Sequence, residues 1–176
     1  RSTFSYRLEP ALDLVRSGYW FSGPVPSLMH AFKYRGTWSL AVALAELTVS
    51  LETCAQAIEG VEILAPVPLH PWRRIRRGYN QSESLASGLA DLSGRRFEPR
   101  LLARERRTRT QTRLNPEERK KNVEGAFKVR DRTLVEGRTI CIIDDVMTTG
   151  ATAGACAAAL KDAGAVRVTA LTFARA

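Results

Sequence analysis

The chain has 176 residues, 44% of them hydrophobic and 26% charged, with a formal net charge of +9. This size supports one domain with a real core, and no apolar run approaches the roughly 20 residues that a membrane span needs. The positive balance attracts phosphorylated metabolites, nucleic acid and acidic proteins alike, and does not choose among them.

From the N-terminus, Arg1–Asp13 carries no initiator Met and lacks the apolar centre of a secretory signal, so the sequence reads as a fragment with a cytoplasmic location expected. Pro26–Leu51 sets Leu28, Phe32, Leu40, Leu44 and Leu47 at helical spacing with a break at Arg35-Gly36, which predicts two helices with these side chains inside. Val61–Pro68 is short, apolar and β-rich and contains two prolines, the pattern of a buried strand that hands its C-terminal end to a loop. That loop is the basic stretch Leu69–Tyr79, with Arg73, Arg74, Arg76 and Arg77. Asn80–Leu92 predicts a helix with Leu85, Leu89 and Leu92 inside, Asn80 placed to cap it and Ser93-Gly94 closing it.

Phe97–Ala103 predicts a strand. Arg104–Arg113 is charged, Thr-rich and without apolar periodicity, so a mobile excursion is expected there. Asn115-Pro116-Glu117-Glu118 opens a helix, with a capping side chain, a proline in the first turn and acids at the positive end of the dipole. A short strand at Phe127–Val129 and a strand at Arg138–Ile143, apolar on both faces, come next; a helix over Ala151–Ala163 closed by Gly164 and a last strand at Val166–Phe173 complete the pattern. Alternating strands and helices predict an α/β fold with a mostly parallel central sheet flanked by helices. Cys54, Cys141 and Cys156 are odd in number with no close pair, against both a disulfide framework and a metal cluster; Cys141 and Cys156 are expected as small core residues.

Ligands of open parallel sheets sit at the carboxyl ends of the strands, where Asp144-Asp145 falls. Adjacent carboxylates repel, so hydroxyl donors or a cation should compensate; a ribose cis-diol and a bound Mg²⁺ together would do so. Met147, Thr148, Thr149, Gly150, Ala151 and Thr152 then lead with small residues and hydroxyls into a helix N-terminus, an anion site suited to one phosphate. Neither an ATPase-type Gly-x4-Gly-Lys loop nor a dinucleotide Gly-x-Gly-x-x-Gly is present. Gly150 and Gly154 form a Gly-x3-Gly whose expected use is close packing.

The four apolar residues, the acidic pair and Thr-Thr-Gly-x-Thr resemble the phosphoribosyl-pyrophosphate signature of type I phosphoribosyltransferases. The resemblance implies that Asp144 and Asp145 contact the ribose hydroxyls and Met147–Thr152 the 5-phosphate, with Mg²⁺ entering on the substrate and the two acids as its candidate protein ligands. The first acid is Asp where many members carry Glu, and both suit the role. Ala65–Ala86 is similar to the segment that marks the ComF branch of this superfamily, proteins linked to bacterial competence. Phe32-Lys33-Tyr34-Arg35-Gly36 resembles that branch's lysine-tyrosine motif, and Arg109-Thr110-Gln111 through Leu114, Arg119, Asn122 and Ala126-Phe127 resemble its mobile-loop region.

By this resemblance Val67, Pro68, Leu69, His70, Arg73 and Arg74 form the pyrophosphate loop, which suits arginine forks, and Arg104, Arg107 and Arg109 belong to the mobile loop. Residues 1–60 are expected as an N-terminal helical segment packed on a phosphoribosyltransferase-like domain of residues 61–176, together one structural unit. The activity implied is transfer of a phosphoribosyl group to an acceptor with release of pyrophosphate, with Asp144, Asp145 and Arg73 in the catalytic roles. No base-recognition hood is legible, so the acceptor stays open. The alternative is a non-catalytic competence protein that binds single-stranded DNA or a DNA-uptake helicase, or a metabolite-sensing regulator. Against nucleic acid, the arginines have only Trp72 and Tyr79 as aromatic neighbours in sequence. A homodimer is among the expected assemblies. The cysteine-rich zinc module common at the start of ComF-type proteins has no counterpart in these 176 residues, where no Cys-x2-Cys occurs; either the module was lost or it was cut away.

Overall fold

In the computed structural model, which describes residues 9–35, 38–69, 78–106 and 115–176, five parallel strands form the central sheet in the order β1-β7-β6-β2-β3. They are β1 (Leu14–Trp20), β2 (Ile63–Pro66), β3 (Arg96–Phe97), β6 (Thr139–Met147) and β7 (Arg167–Arg175). A separate antiparallel pair joins β4 (Leu102–Arg104) to β5 (Phe127–Val129). The helices are α1 (Val25–Arg35), α2 (Trp38–Val49), α3 (Glu52–Ile58), α4 (Gln81–Ser93), α5 (Pro116–Val123) and α6 (Ala151–Asp162). This is the α/β architecture the sequence predicts, with a mostly parallel sheet flanked by helices. No single helix among the described residues is long and apolar enough to cross a membrane.

The strict two-residue alternation of a strand divides the core in two. Ile140 and Ile142 of β6 pack with Cys156, Ala157 and Leu160 of α6 and with Val168 and Ala170 of β7. Cys141 and Ile143 pack on the other face with Phe32 of α1, Leu44 of α2 and Leu85 and Leu89 of α4. Both faces of β6 are thus covered, which is why its core residues read as a continuous apolar run. Cys54, Cys141 and Cys156 are buried thiols, as small core residues should be.

Several boundaries differ from expectation for identifiable reasons. β1 was not legible: its residues are half-buried up to the exposed Trp20, and among the described residues it lies on the sheet edge, against β7. α3 was also missed. The single strand expected over Phe97–Ala103 is two, β3 and β4, because Pro99 in the intervening turn cannot donate to a ladder. Leu47 and Leu92, expected inside, are 46% and 47% exposed. Leu92 lies near the C-terminal end of α4, where it lines a cavity of about 400 Å³ with Val49, Ile58 and Arg95. Asn115 and Glu118 form a reciprocal cap at the start of α5, each side chain accepting the other's backbone N–H at 2.9 and 2.8 Å.

Candidate functional site

The sheet parts at one place. β2 and β6 pair as far as Pro66 and Ile143, and the last bond between them runs from the Val67 N–H to the Ile143 carbonyl at 2.9 Å. Among the described residues β6 continues beyond this point on its other side only, paired with β7 out to Met147 and Arg175. Asp144 and Asp145 therefore lie within the strand rather than after it, as the sequence had suggested, because β7 extends to Arg175 and carries the ladder past them. From β2 the chain passes through α4 outward to β3, and from β6 it passes through α6 the opposite way to β7. A crevice at such a reversal of strand order is where open α/β sheets take their ligands.

The acids flank this crevice. Oδ1 of Asp144 accepts the Ser82 hydroxyl at 2.7 Å and the Asp145 N–H at 2.9 Å. Oδ1 of Asp145 accepts the Val146 N–H at 2.8 Å, and its Oδ2 faces the Lys33 ammonium at 3.1 Å. Burial, then the neighbouring charge of Asp145, push the Asp144 carboxyl up to about 7, against the opposing pull of Ser82, the Asp145 amide and Lys33.

Three consecutive side chains at the start of α4 fasten the surroundings. The Asn80 amide donates to the Val67 carbonyl at 3.1 Å, the Gln81 amide to the Lys33 carbonyl at 3.3 Å, and Ser82 to Asp144. Asn80 is the residue at which α4 begins, but its side chain makes no capping bond; it holds the end of β2 instead. All three are buried, with 5%, 1% and 4% exposure, so their bonds are shielded from water.

Met147 leads into the second half of the crevice. It is buried, Thr148 and Gly150 are half-buried and Thr149 is exposed. Gly150 sits at φ +81 as the first residue of the turn into α6, a conformation that other residues resist. Thr149 Oγ1 accepts the Ala151 N–H at 3.4 Å. The loop delivers its hydroxyls and the amino end of α6 to the same end of the sheet as the acids, an arrangement that binds an anion through backbone N–H groups and the helix dipole. Gly154, one turn in, allows Glu9 to lie against the helix: a Cβ there would meet Glu9 Cγ at 2.6 Å.

No family model matches the chain. The DNA utilization protein YhgH of Salmonella typhimurium is 34% identical over 151 residues, which cover 84% of this chain and 66% of that protein. The Escherichia coli (strain K12) protein of the same name is 32% identical over 151 residues with the same coverage, so the matched region spans 66% of the length of these relatives. Competence protein F of Haemophilus influenzae is 28% identical over 173 residues, 96% of this chain and 75% of that protein. The chain belongs to the ComF-like family.

In this ComF-like chain the residues expected at the ribose and 5-phosphate, Asp144, Asp145 and Met147–Thr152, come together on one strand-to-helix connection. Of the expected pyrophosphate loop, Val67 is buried and Pro68 and Leu69 are half-buried at the crevice edge, while His70, Arg73 and Arg74 lie outside the described residues. Arg107 and Arg109 of the expected mobile loop lie outside them too. Arg104, expected to open that loop, instead ends β4, 8% exposed, with its guanidinium carbon 5.2 Å from the centroid of the Phe127 ring. Cation–π contact and burial of its aliphatic stem account for the difference. Arg106 is likewise engaged, donating to the Glu124 carbonyl at 2.6 Å.

Lys33 and Ser82 are the site residues that sequence reasoning did not select, although both lie in the family-like stretches Phe32–Gly36 and Ala65–Ala86. Among the described residues no three metal-binding side chains converge. Two adjacent carboxylates fit a Mg²⁺ that arrives on a ligand's phosphates better than one held in a cage of protein ligands.

Proposed function

We propose that this ComF-like chain binds phosphoribosyl pyrophosphate and acts as a phosphoribosyltransferase on an acceptor yet to be identified. The observation that supports this reading most is the meeting of the Asp144-Asp145 pair and the Thr148–Thr152 loop at the parting of β2 and β6. In this reading Asp144 and Asp145 accept the ribose hydroxyls, and the amino end of α6 with Thr148, Thr149 and Thr152 holds the 5-phosphate. The acceptor's lone pair forms a bond to the anomeric carbon as the bond to diphosphate breaks, with the electron pair leaving on pyrophosphate. The protein's contribution is to fix the ribose between two anchored ends and to offset the charge of the leaving group, the role assigned to Arg73 and Arg74. Mg²⁺ on the diphosphate would share that charge.

Calorimetric titration of phosphoribosyl pyrophosphate with Mg²⁺ tests the reading. The wild type should bind, and a doubly substituted Asp144→Ala, Asp145→Ala protein should lose at least about tenfold in affinity, since several charge-assisted hydrogen bonds are removed. A wild type that gives no heat of binding at millimolar ligand sinks the proposal.

A second reading has its own support. The relatives are named for DNA utilization and competence, and this chain combines a net charge of +9 with exposed aromatic rings at Trp20, Tyr34 and Trp38. Such rings stack on unpaired bases. Under this reading the chain serves competence or DNA utilization by contacting single-stranded DNA, with phosphoribosyl pyrophosphate as a bound effector rather than a substrate.

A further inference from the structure

Three of the four carboxylate oxygens of the acidic pair meet protein donors, two of them through backbone N–H groups. Oδ1 of Asp144 carries the Ser82 hydroxyl and a backbone N–H, and Oδ1 of Asp145 carries a backbone N–H. The Oδ2 atoms, which take no backbone N–H among the described residues, are the acceptors turned to a bridging diol. On Asp145 that atom faces the Lys33 ammonium at 3.1 Å, with the lysine side chain 29% exposed and the carboxylate side chain 14% exposed. Lysine is a compact charge on a flexible stem, able to change partners without moving its backbone. The backbone of Lys33 is held: Gln81 donates to its carbonyl at 3.3 Å. The adjacent Asn80 holds the carbonyl of Val67, the residue from which the expected pyrophosphate loop departs. Lys33 is thus linked to the acid it neutralises and, through adjacent residues of α4, to the end of β2 at Val67.

We propose that Lys33 is an exchangeable counter-ion: without ligand it neutralises Asp145, and when the ribose hydroxyls take Asp145 Oδ2 it transfers its ammonium to the ligand's diphosphate. The proposal rests on the phosphoribosyl-pyrophosphate reading and deepens it by making Lys33 a positioning residue that links the two halves of one ligand. Exchange keeps the charge balanced at each stage, since the acid loses a cation as it gains hydroxyl donors and the diphosphate gains that cation. Asp145 needs no second basic side chain in the ligand-free state, and the diphosphate meets a charge that is already present at the crevice.

The test compares two ligands on three proteins. Ribose 5-phosphate carries the diol and the 5-phosphate but no diphosphate; phosphoribosyl pyrophosphate with Mg²⁺ carries all three. Both are titrated calorimetrically into wild type, Lys33→Met and Lys33→Arg. Exchange requires Lys33→Met to bind ribose 5-phosphate at least as tightly as wild type, because the competitor is gone, yet to bind phosphoribosyl pyrophosphate about tenfold more weakly. Lys33→Arg should stay near wild type for the second ligand. The affinity ratio of two ligands within one variant is insensitive to a partly unfolded preparation. A ratio unchanged in Lys33→Met, or equal weakening of both ligands, overturns the exchange while leaving the binding reading in place. Failure of both ligands to bind wild type overturns that reading and the exchange with it.

Discussion

Ser82 donates one hydrogen bond, and its effect should exceed that of an ordinary surface hydroxyl because the acceptor is a carboxylate already pushed up to about 7. Ser82→Ala removes a donor that favours the ionised form, so Asp144 should protonate more readily. The affinity for phosphoribosyl pyrophosphate is expected to fall about three- to tenfold at pH 7 and to recover in part at pH 8.5, where the carboxyl ionises in either protein. Titration at the two pH values checks this, and a loss identical at both assigns Ser82 to packing alone. Asp144 also leaves a signature in stability. Between its ordinary value of 3.8 and about 7 the folded state holds a proton that the unfolded state has released, so this group makes stability fall as pH rises through that window. Below 3.8 both states are protonated and above about 7 both are ionised. Asp144→Asn should flatten the slope and gain on the order of 2 kcal/mol relative to wild type at pH 8, as read by urea unfolding across pH.

At the scale of elements, close approach is enforced where glycine faces a neighbour. In Gly154→Ala the new methyl would meet Glu9 Cγ at 2.6 Å and Glu9 Cβ at 2.7 Å. Retraction of the carboxyl end alone does not relieve contact with Cβ. The substitution should destabilise by about 1–3 kcal/mol. Glu9→Gly in the same chain should restore stability to wild type or above, since alanine favours a helix over glycine by about 1 kcal/mol. Thermal melts of the single and double variants decide it. The same elements show what a sequence makes legible. α4 and α6 were readable from helical spacing and glycine closure, and β6 from its apolar run, because each is governed by local pattern plus burial. β1 was not, since Leu14–Trp20 mixes Arg16, Ser17 and Gly18 into an edge strand whose partner among the described residues is 155 residues away, at Thr169 for Leu14. The exposed Leu47 and Leu92 mark a related limit: helical phase predicts which side chains share a face, but not where along the helix the covering layer ends.

For the whole molecule, charge and topology make separate predictions. If the chain contacts single-stranded DNA, affinity should fall steeply and linearly on a log-log plot as salt rises. Trp38→Ala should then cost about 1–3 kcal/mol in DNA binding, with phosphoribosyl pyrophosphate affinity unchanged. Fluorescence anisotropy with an oligonucleotide over a salt series measures both; no binding at low salt removes the DNA reading. The candidate site divides along the same line between local and distant information. Asp144, Asp145 and the threonine-glycine loop are contiguous and were visible in the sequence, whereas Lys33 reaches Asp145 across 112 residues of chain and Ser82 reaches Asp144 across 62. Their partnership exists only once the sheet has ordered. The Asn80-Gln81-Ser82 clasp carries that dependence into biosynthesis. Its three bonds close spans of 13, 48 and 62 residues at one point. A chain emerging from the ribosome can seat Val67 and Lys33 on α4 early, but it has no carboxylate to offer Ser82 until β6 has been made. Ligand competence is therefore acquired late in synthesis, and a ligand that binds here selects finished molecules over partial ones.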